Sequence, residues 1–448
     1  MAFSTDDTIV AIATPPGRGG IGVVRVSGPD ALRIASALTG KEAFEPRRAT
    51  LVRVGAREAA DRALVTCFPA PASYTGDDVV EISAHGSPVL LHAIVGTAIG
   101  AGARLAEPGE FTLRAYLHGR IDLVQAEAVQ DLVAAVTPLQ ARSAFDQLEG
   151  TLTARIQEVD SALFDLSARL EASLDFAGEG YHFVEPGRVA SEIDGVLASI
   201  DTLLHDAGAG RLVREGAQVV IVGRPNAGKS TLFNALAGAG RAIVTAIPGT
   251  TRDLLTETID VRGIAVTLID TAGIREHATD VVETEGISRA RAAVERADLA
   301  IVVLDRSNPL GGDDMTLIAG VAAARRLIVA SKADLPPVWT QLDAHPVIAV
   351  AAPTGAGLDA LRDAIASHLG LADLHRDTPA ITNLRHVDLV TRARAALSRA
   401  REAAAAGTPE EFVAADLTEA RAMLEEITGQ RTADDTLHAI FERFCIGK

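Results

Sequence analysis

Apolar residues recur at two different spacings along the chain, and the change of spacing divides the chain into segments. Residues 1 to about 119 carry short apolar runs separated by proline, glycine and aspartate, which is typical of strands joined by turns. A helix is predicted over 88–99, because proline is favoured in the first turn of a helix. This segment is therefore predicted to have an α+β fold, with strands at 7–13, 22–26, 63–68 and 79–83.

From about residue 120 the apolar residues step by three or four, which is the period of an amphipathic helix. The apolar positions from Phe145 to Leu170 predict one long helix. A weaker pattern over 184–212 predicts a second helical stretch, and an apolar strand is expected to start near Gln218.

Helical spacing returns towards the end of the sequence. Thr408 is placed to cap a helix that Gly429 ends, and a last helix is predicted over 434–444. Helices with one apolar side must bury that side against a partner. The helices before and after the central segment are therefore predicted to form one domain, into which the central segment is inserted.

A glycine-rich loop joins a strand to a helix in the central segment. Residues 223–230 read Gly-Arg-Pro-Asn-Ala-Gly-Lys-Ser, after the apolar run 219–222 and before the helix-like run 231–236. Glycines let backbone N–H groups surround a β-phosphate, Lys229 reaches the β and γ oxygens, and Ser230 offers its hydroxyl to Mg²⁺. The loop predicts a nucleoside triphosphate site.

Two later strand ends indicate which nucleotide is bound. Asp270 follows a buried run and typically holds the Mg²⁺ shell, while Gly273 in the same turn can approach the γ-phosphate. After the run 326–330, the Asp334 carboxylate can accept both guanine N1–H and N2–H while the Lys332 stem covers the ring. Adenine lacks that pair of donors, so GTP is the expected ligand.

The loop between the phosphate loop and Asp270 is rich in threonine. Residues 244–253 suit a segment that orders around the γ-phosphate and Mg²⁺, with Thr251 on the metal. A solvated turn is the alternative, because Pro-Gly and threonine are common in turns.

The residue after the Asp270 turn, Ile274, is apolar and cannot orient an attacking water. The carboxylates of Glu276 and Glu283 follow, and one of them can polarise water directly or through a second water. Each of them also fits a solvated loop charge.

Composition sets limits on the class of protein. The 448 residues suffice for about three domains. The sequence carries no apolar stretch long enough to cross a bilayer and no evident signal peptide, so we expect a cytoplasmic protein. Cys67, in an apolar run, is expected in a core. The net charge of −17 argues against a broad nucleic-acid surface, although a local basic patch or a basic partner can still recruit RNA.

Segments at both ends of the chain carry a more specific signal than the phosphate loop. Residues 7–25, 74–86 and 107–123, together with the terminal Phe-Cys-Ile-Gly-Lys, resemble the MnmE (TrmE) family of tRNA-modification GTPases over the whole chain. The chain departs from the pattern of the GTPase superfamily at Ser331, where the superfamily has asparagine. Serine is too short to reproduce the asparagine bridge, so weaker guanine affinity is expected. Residues 351–352 are Ala-Ala in place of Ser-Ala.

The resemblance implies a fold, an activity and partners. It implies a potassium-activated GTPase that uses Mg²⁺ and a folate such as 5-formyl-tetrahydrofolate. With an FAD-dependent partner, MnmG, such proteins install an aminomethyl-type group on carbon 5 of the tRNA wobble uridine. A homodimer and a heterotetramer with MnmG are implied. Four segments are implied. Residues 1–119 form an α+β folate-binding and dimerisation domain, and residues 120–214 form the first part of a helical domain. Residues 215–375 form an inserted Ras-like P-loop GTPase domain, and residues 376–448 form the second part of the helical domain.

The resemblance also implies site residues. The nucleotide residues are Asn226, Ala227, Gly228, Lys229, Ser230, Thr231, Thr245, Thr250, Thr251, Asp270, Thr271, Ala272, Gly273, Lys332 and Asp334. The potassium ligands are Asn226, Thr245, Ile247 and Thr250. The folate contacts are Arg25, Glu81, Arg120 and Lys448, with arginine at 120 where relatives often have lysine. Read alone, Arg25 and Glu81 fit a cross-strand surface pair.

Two residues are assigned to the chemistry itself. Glu283 matches the acid that positions water for hydrolysis. Cys445 matches a proposed thiol nucleophile, whose pKa Lys448 would lower, and an exposed thiol without a role is the alternative.

Two functions from different classes follow. One is an enzyme in which GTP hydrolysis is coupled to one-carbon transfer onto tRNA. The other is a stand-alone GTP switch whose flanking domains dock to a ribosome or a membrane without one-carbon chemistry.

Overall fold

The fold is seen in a computed structural model of the chain. It divides into two compact units, Met1–Gln130 with Leu424–Lys448, and Asp131–Met423. The residues that the structure describes are 5–55, 60–175, 186–205, 207–239, 255–270, 293–322, 325–342, 345–370 and 381–448.

Strands and helices are numbered in chain order. The strands are β1 Ile9–Ile12, β2 Gly19–Ser27, β3 Thr50–Val54, β4 Asp61–Phe68, β5 Val79–Gly86, β6 Arg104–Leu105, β7 Ala217–Gly223, β8 Leu255–Val261, β9 Ile264–Asp270, β10 Leu299–Asp305, β11 Arg326–Ser331 and β12 Val347–Ala349. The helices are α1 Ala31–Thr39, α2 Pro88–Gly100, α3 Glu110–Leu117, α4 Leu123–Ala134, α5 Pro138–Leu148, α6 Thr151–Asp175, α7 Pro186–His205, α8 Ala207–Glu215, α9 Lys229–Ala239, α10 Gly312–Ala319, α11 Leu358–His368, α12 Leu384–Ala405, α13 Glu410–Thr428 and α14 Asp434–Phe441.

The first unit is built on a six-stranded sheet in the order β3-β4-β5-β2-β1-β6, antiparallel except for the β1–β6 pair. Alternate residues of its strands, such as Val24 and Ile82, are buried in one core with Ile34 of α1 and Ile94 of α2. The four strands and the helix predicted for this segment are confirmed.

The end of the chain packs on the same unit. Gly447 has a left-handed φ of 98°, and an added Cβ would lie 2.3 Å from the Ile12 carbonyl oxygen. Leu437, Phe441 and Phe444 are buried in one cluster with Leu113 of α3. The last residues are therefore held beside β1.

The prediction of one uninterrupted helix from Phe145 to Leu170 is wrong. Two helices, α5 and α6, cover this stretch, and Gly150 between them has a left-handed φ of 85°. Apolar spacing continues across the break, so the spacing alone did not reveal it. The helical prediction over 184–212 agrees with α7 and α8 within the described residues.

Helices that precede and follow the central sheet in sequence pack against each other. Arg394 and Arg401 of α12 form ion pairs with Asp201 and Asp194 of α7. Helix α13 ends at Thr428, and Gly429 follows with a left-handed φ of 89°, as its sequence predicts. The last helix, α14, ends at Phe441, three residues before the predicted end.

The central segment forms a second six-stranded sheet in the order β12-β11-β10-β7-β9-β8. Its neighbouring strands are parallel except for the β8–β9 hairpin. The inner strands are apolar on both sides because helices cover both faces. β7 lies between β9 and β10, so the crevice at its carboxyl end is the switch point where ligands bind in such sheets.

Candidate functional site

The loop between β7 and α9 has the backbone geometry of a phosphate loop. Asn226 and Gly228 have left-handed φ values of 61° and 93°, and α9 begins directly after them at Lys229. At Gly223 a Cβ would lie 2.5 Å from the Val303 carbonyl oxygen, so glycine is required where β7 passes β10. Alternating turn conformations of this kind aim successive N–H groups into one concavity, beside a helix N-terminus that favours anions.

The predicted phosphate lysine is positioned by this loop. Lys229 is buried, and its Nζ donates to the Arg224 carbonyl oxygen at 2.9 Å. The ammonium group therefore lies across the loop. The neighbouring Ala227 is also buried, whereas Thr231 is an exposed residue of α9.

The two described magnesium candidates lie together. The Ser230 hydroxyl donates to the Asp270 Oδ2 at 2.9 Å, and the Asp270 side chain is fully buried. They meet because β7 and β9 are parallel neighbours whose carboxyl ends point to the same edge of the sheet. Hydroxyl and carboxylate oxygens are the donors that Mg²⁺ prefers, so these residues fit the ion.

The base-recognition residues follow β11 at the same edge. Lys332 has a left-handed φ of 56°, and its Nζ forms an ion pair with the Asp305 Oδ2 at 2.6 Å. Asp334 is exposed two residues later. The structure therefore brings Lys332 and Asp334 to the crevice beside the phosphate loop.

Asp305 is a site residue that sequence reasoning missed. Burial raises the pKa of its carboxyl, but hydrogen bonds from Lys332, Ser307 and Asn308 outweigh burial and lower the pKa to about 2. The available signal was an aspartate at the carboxyl end of an apolar strand, the same pattern that led to Asp270.

Ser331, which stands where other GTPases have asparagine, makes a hydrogen bond of its own to the phosphate loop. The Ser331 hydroxyl donates to the Ala227 carbonyl oxygen at 2.6 Å, and the Leu304 carbonyl oxygen lies 3.1 Å away. The side chain is buried, so this bond joins the end of β11 directly to the phosphate loop. Weaker guanine affinity than in GTPases with asparagine stays a prediction.

Arg25 and Glu81 are paired in the first unit. They are cross-strand neighbours of β2 and β5, and the guanidinium donates to the Glu81 Oε1 at 2.8 and 3.0 Å. The Arg25 guanidinium carbon also lies 5.3 Å from the Tyr74 ring centre and 5.6 Å from that of Phe111. This geometry agrees with the cross-strand pair, and it also presents a carboxylate and a cation side by side.

The remaining folate candidates lie in the same unit. Gly447 lies against Ile12 at the end of β1, and β1 is paired with β2, the strand that carries Arg25. Lys448 is half-buried, while Arg120 and Cys445 are exposed. The carbonyl oxygen of Cys445 accepts from the Gly109 and Lys448 N–H groups.

Several predicted residues lie outside the part of the chain that the structure describes. These are Thr245, Ile247, Thr250, Thr251, Thr271, Ala272, Gly273, Glu276 and Glu283.

Two family models match the chain. The model described as the MnmE helical domain matches residues 123–445, and that described as the GTP-binding protein TrmE N-terminus matches residues 8–120. The tRNA modification GTPase MnmE of Koribacter versatilis is 46% identical, covering 100% of both chains. The chain belongs to the MnmE family of tRNA modification GTPases. This assignment confirms the family predicted from the motifs, and with it a GTP hydrolase that acts in tRNA modification.

Further MnmE relatives are similar over their full lengths. The protein of Chloroflexus aurantiacus is 45% identical, covering 99% of this chain and 100% of the relative. Among solved structures, an Era variant of Aquifex aeolicus covers 40% of this chain and 66% of its own, with 25% identity and a TM-score of 0.28. The assignment to the MnmE family does not depend on that partial likeness.

Within the described residues, no helix combines the length and apolar character needed to cross a membrane.

Proposed function

We propose that the chain is a potassium-activated GTPase that, with an FAD-dependent MnmG-type partner, modifies carbon 5 of the wobble uridine of tRNAs in the cytoplasm. A folate supplies the one-carbon unit. The observation that carries the GTPase part is the hydrogen bond of Ser230 to the buried Asp270, beside a loop with left-handed residues. Relatives of full length named tRNA modification GTPase support tRNA as the substrate.

Different residues of the proposed site bind different parts of the nucleotide. Lys229 and the loop N–H groups bind the phosphates, and Ser230 holds Mg²⁺ together with Thr251, with Asp270 in the ion's surroundings. When bound, the ion neutralises charge that develops between the β and γ phosphates. Asp334 accepts from the guanine edge.

Hydrolysis needs a positioned water and an added positive charge. Glu283 orients the water, and oxygen atoms of Asn226, Thr245, Ile247 and Thr250 hold the potassium ion. Glu283→Ala should keep GTP affinity while slowing hydrolysis by about 10²-fold, the scale of general acid–base contributions. Replacing potassium with sodium should also slow wild-type turnover. Wild-type rates in Glu283→Ala, or equal rates in both salts, would contradict these two assignments.

Folate binding is proposed for the first unit. A pterin offers donors to a carboxylate such as Glu81, and the glutamate tail of a folate suits the cations Arg25, Arg120 and Lys448. Cys445 is proposed to act as a nucleophile at this folate site. The alternative is that Cys445 is an exposed thiol without a function.

The proposed protein has three domains. Residues 1–119 form a folate-binding and dimerisation domain, and residues 120–214 and 376–448 together form a helical domain. The GTPase domain, at 215–375, is inserted into the helical domain. Packing of α7 on α12 supports the insertion. The proposed assembly is a homodimer that joins the MnmG-type partner in a heterotetramer.

One experiment separates the enzyme from the stand-alone switch. In a strain lacking this gene, mass analysis of wobble uridines should find the modification absent, and the wild-type chain should restore it whereas Glu81→Gln should not. Restoration by Glu81→Gln would argue against folate chemistry at this pair. A normal wobble base in the deletion strain, with GTP-controlled ribosome binding, would favour the switch.

A further inference from the structure

The base-recognition lysine is tethered from the neighbouring strand. β10 and β11 are parallel with Asp305 opposite Ser331, so the Asp305 side chain lies beside the first residue after β11, Lys332. The Lys332 Nζ lies 2.6 Å from the Asp305 Oδ2, and both side chains are largely shielded from solvent. The left-handed conformation of Lys332 constrains its backbone, and the ion pair with Asp305 constrains its ammonium group.

The carboxylate that holds the lysine is itself held. Its Oδ1 accepts from the Ser307 N–H at 2.9 Å and from the Ser307 hydroxyl at 2.6 Å, while Oδ2 accepts from the Asn308 Nδ2 at 2.8 Å. The Trp339 Nε1 donates to the backbone carbonyl of Asp305 at 3.0 Å. The orientation of Oδ2 is therefore fixed by bonds that do not involve Lys332.

A lysine whose ammonium group is held in an ion pair packs against a purine ring at a lower entropic cost than a free lysine. A lysine side chain has four rotatable bonds, and ordering them on binding opposes affinity. A salt bridge at the ammonium end orders the stem beforehand and leaves its methylene groups as an apolar surface.

We propose that Asp305 is a positioning residue for nucleotide recognition, which holds the Lys332 stem against the purine ring while Asp334 reads the guanine edge. The inference rests on the GTP site proposed above. An ion pair that only stabilises the two strand ends would show the same distances. The test must therefore distinguish an effect on nucleotide affinity from an effect on the stability of the fold.

The first measurement is the affinity of the full chain for a fluorescent GDP analogue. Asp305→Asn keeps the shape and the acceptor for Ser307 but loses the charge that attracts Lys332, so Kd should rise about 10-fold. Ser307→Ala leaves the charge and the bond from the Ser307 N–H and removes only the bond from the Ser307 hydroxyl, so a rise of about 3-fold is expected. The change should appear in the KM for GTP more than in kcat. Unchanged Kd in both variants would overturn the inference.

A double-mutant cycle decides whether Asp305 acts through Lys332. Lys332→Met keeps an apolar stem and removes the ammonium group. In that background Asp305→Asn should change Kd by less than about 2-fold, because the tether is already absent. An equal loss in both backgrounds would mean that Asp305 acts only through the fold, which contradicts the inference.

Asp298→Asn is the matched control. Asp298 directly precedes the first residue of β10, where it pairs with Arg211 at 2.8 Å and accepts from the Gln218 N–H at 2.9 Å. Its loss should lower stability and leave Kd unchanged, and a similar rise of Kd would overturn a specific role for Asp305. Failure of the wild-type chain to bind GDP or GTP would instead refute the proposed function.

Discussion

A single buried arginine organises charge in the first unit. The Arg114 side chain is 1% exposed, and its Nη2 lies 2.6 Å from the Asp7 Oδ1 and 2.9 Å from the Glu110 Oε1. Arg104 also pairs with both carboxylates. Removing one partner of a buried pair is costly because the other charge stays desolvated.

Arg114→Met should therefore destabilise the first unit by about 3 kcal/mol, the lower end for a broken buried pair. Hydrogen exchange of the β1 and β2 amides measures this loss, whereas the fluorescence of Trp339 reports on the other unit. Arg33→Met is the control, since its pair with Asp30 is exposed to solvent and its loss should leave the stability of the first unit almost unchanged. Equal effects of the two variants would contradict this account.

The same cluster predicts a dependence of stability on pH. Hydrogen bonds from Arg104 lower the pKa of Asp7 despite partial burial, and Arg114 adds to this. Burial raises the pKa of Glu110, but bonds from Arg104, the Glu107 N–H and Arg114 give a net lowering. Both carboxyls thus have folded-state pKa values below their unfolded values.

The Asp7 and Glu110 carboxylates contribute fully to the stability of the first unit above their unfolded-state pKa values of about 4. This contribution is lost as the pH falls through their lower folded-state pKa values. Stability of the first unit should fall with acid, and Arg114→Met should flatten the dependence. Asp77 acts in the opposite sense, because burial raises its pKa despite the nearby His118 and Arg114. Hydrogen exchange from pH 6 down to pH 3 checks this, and a pH-independent wild type would contradict it.

At the scale of elements, the sequence predicted those features that a run of adjacent residues specifies. β5, α2 and the phosphate loop follow from runs of adjacent residues, and each lies where its run predicts. The break at Gly150 was missed because apolar spacing continues through it. The pairing of Asp305 with Lys332 was missed because it depends on the register of two parallel strands, which no local pattern specifies.

Gly150 gives a prediction about the α5–α6 connection. Its φ of 85° is unfavourable for a residue with a Cβ, so Gly150→Ala should cost about 1 kcal/mol. Gly208→Ala is the matched control, because Gly208 lies in α8 with open space at its Cβ and should gain up to about 1 kcal/mol. Thermal unfolding of both variants tests the contrast. Stabilisation by Gly150→Ala would indicate that α5 and α6 form one helix.

At the scale of the whole molecule, the two proposed ligands use residues of different units. Lys229, Ser230 and Asp270 belong to the second unit, and Arg25 and Glu81 to the first. Each binding activity should therefore be separable by mutation.

Lys229→Ala should weaken GTP binding by about 10³-fold or more, because the loop loses its only charge on the β and γ phosphates among the described residues, and folate affinity should stay unchanged. Glu81→Gln should do the reverse, since the neutral amide accepts less strongly from a pterin. Calorimetric titration of each variant with both ligands checks this. Loss of both affinities in one variant would show that the assignment to separate units is wrong.

The two cysteines of the chain have very different surroundings. Cys67 is buried in the core of the first sheet, and burial raises its pKa to about 11, whereas Cys445 is exposed. Thiol reagents attack the thiolate, so at neutral pH a maleimide dye should attach to the folded chain at position 445 alone. The native sequence thus already carries a unique attachment point for a fluorophore or spin label, at the fourth residue from the end, whose carbonyl oxygen accepts from the Gly109 N–H.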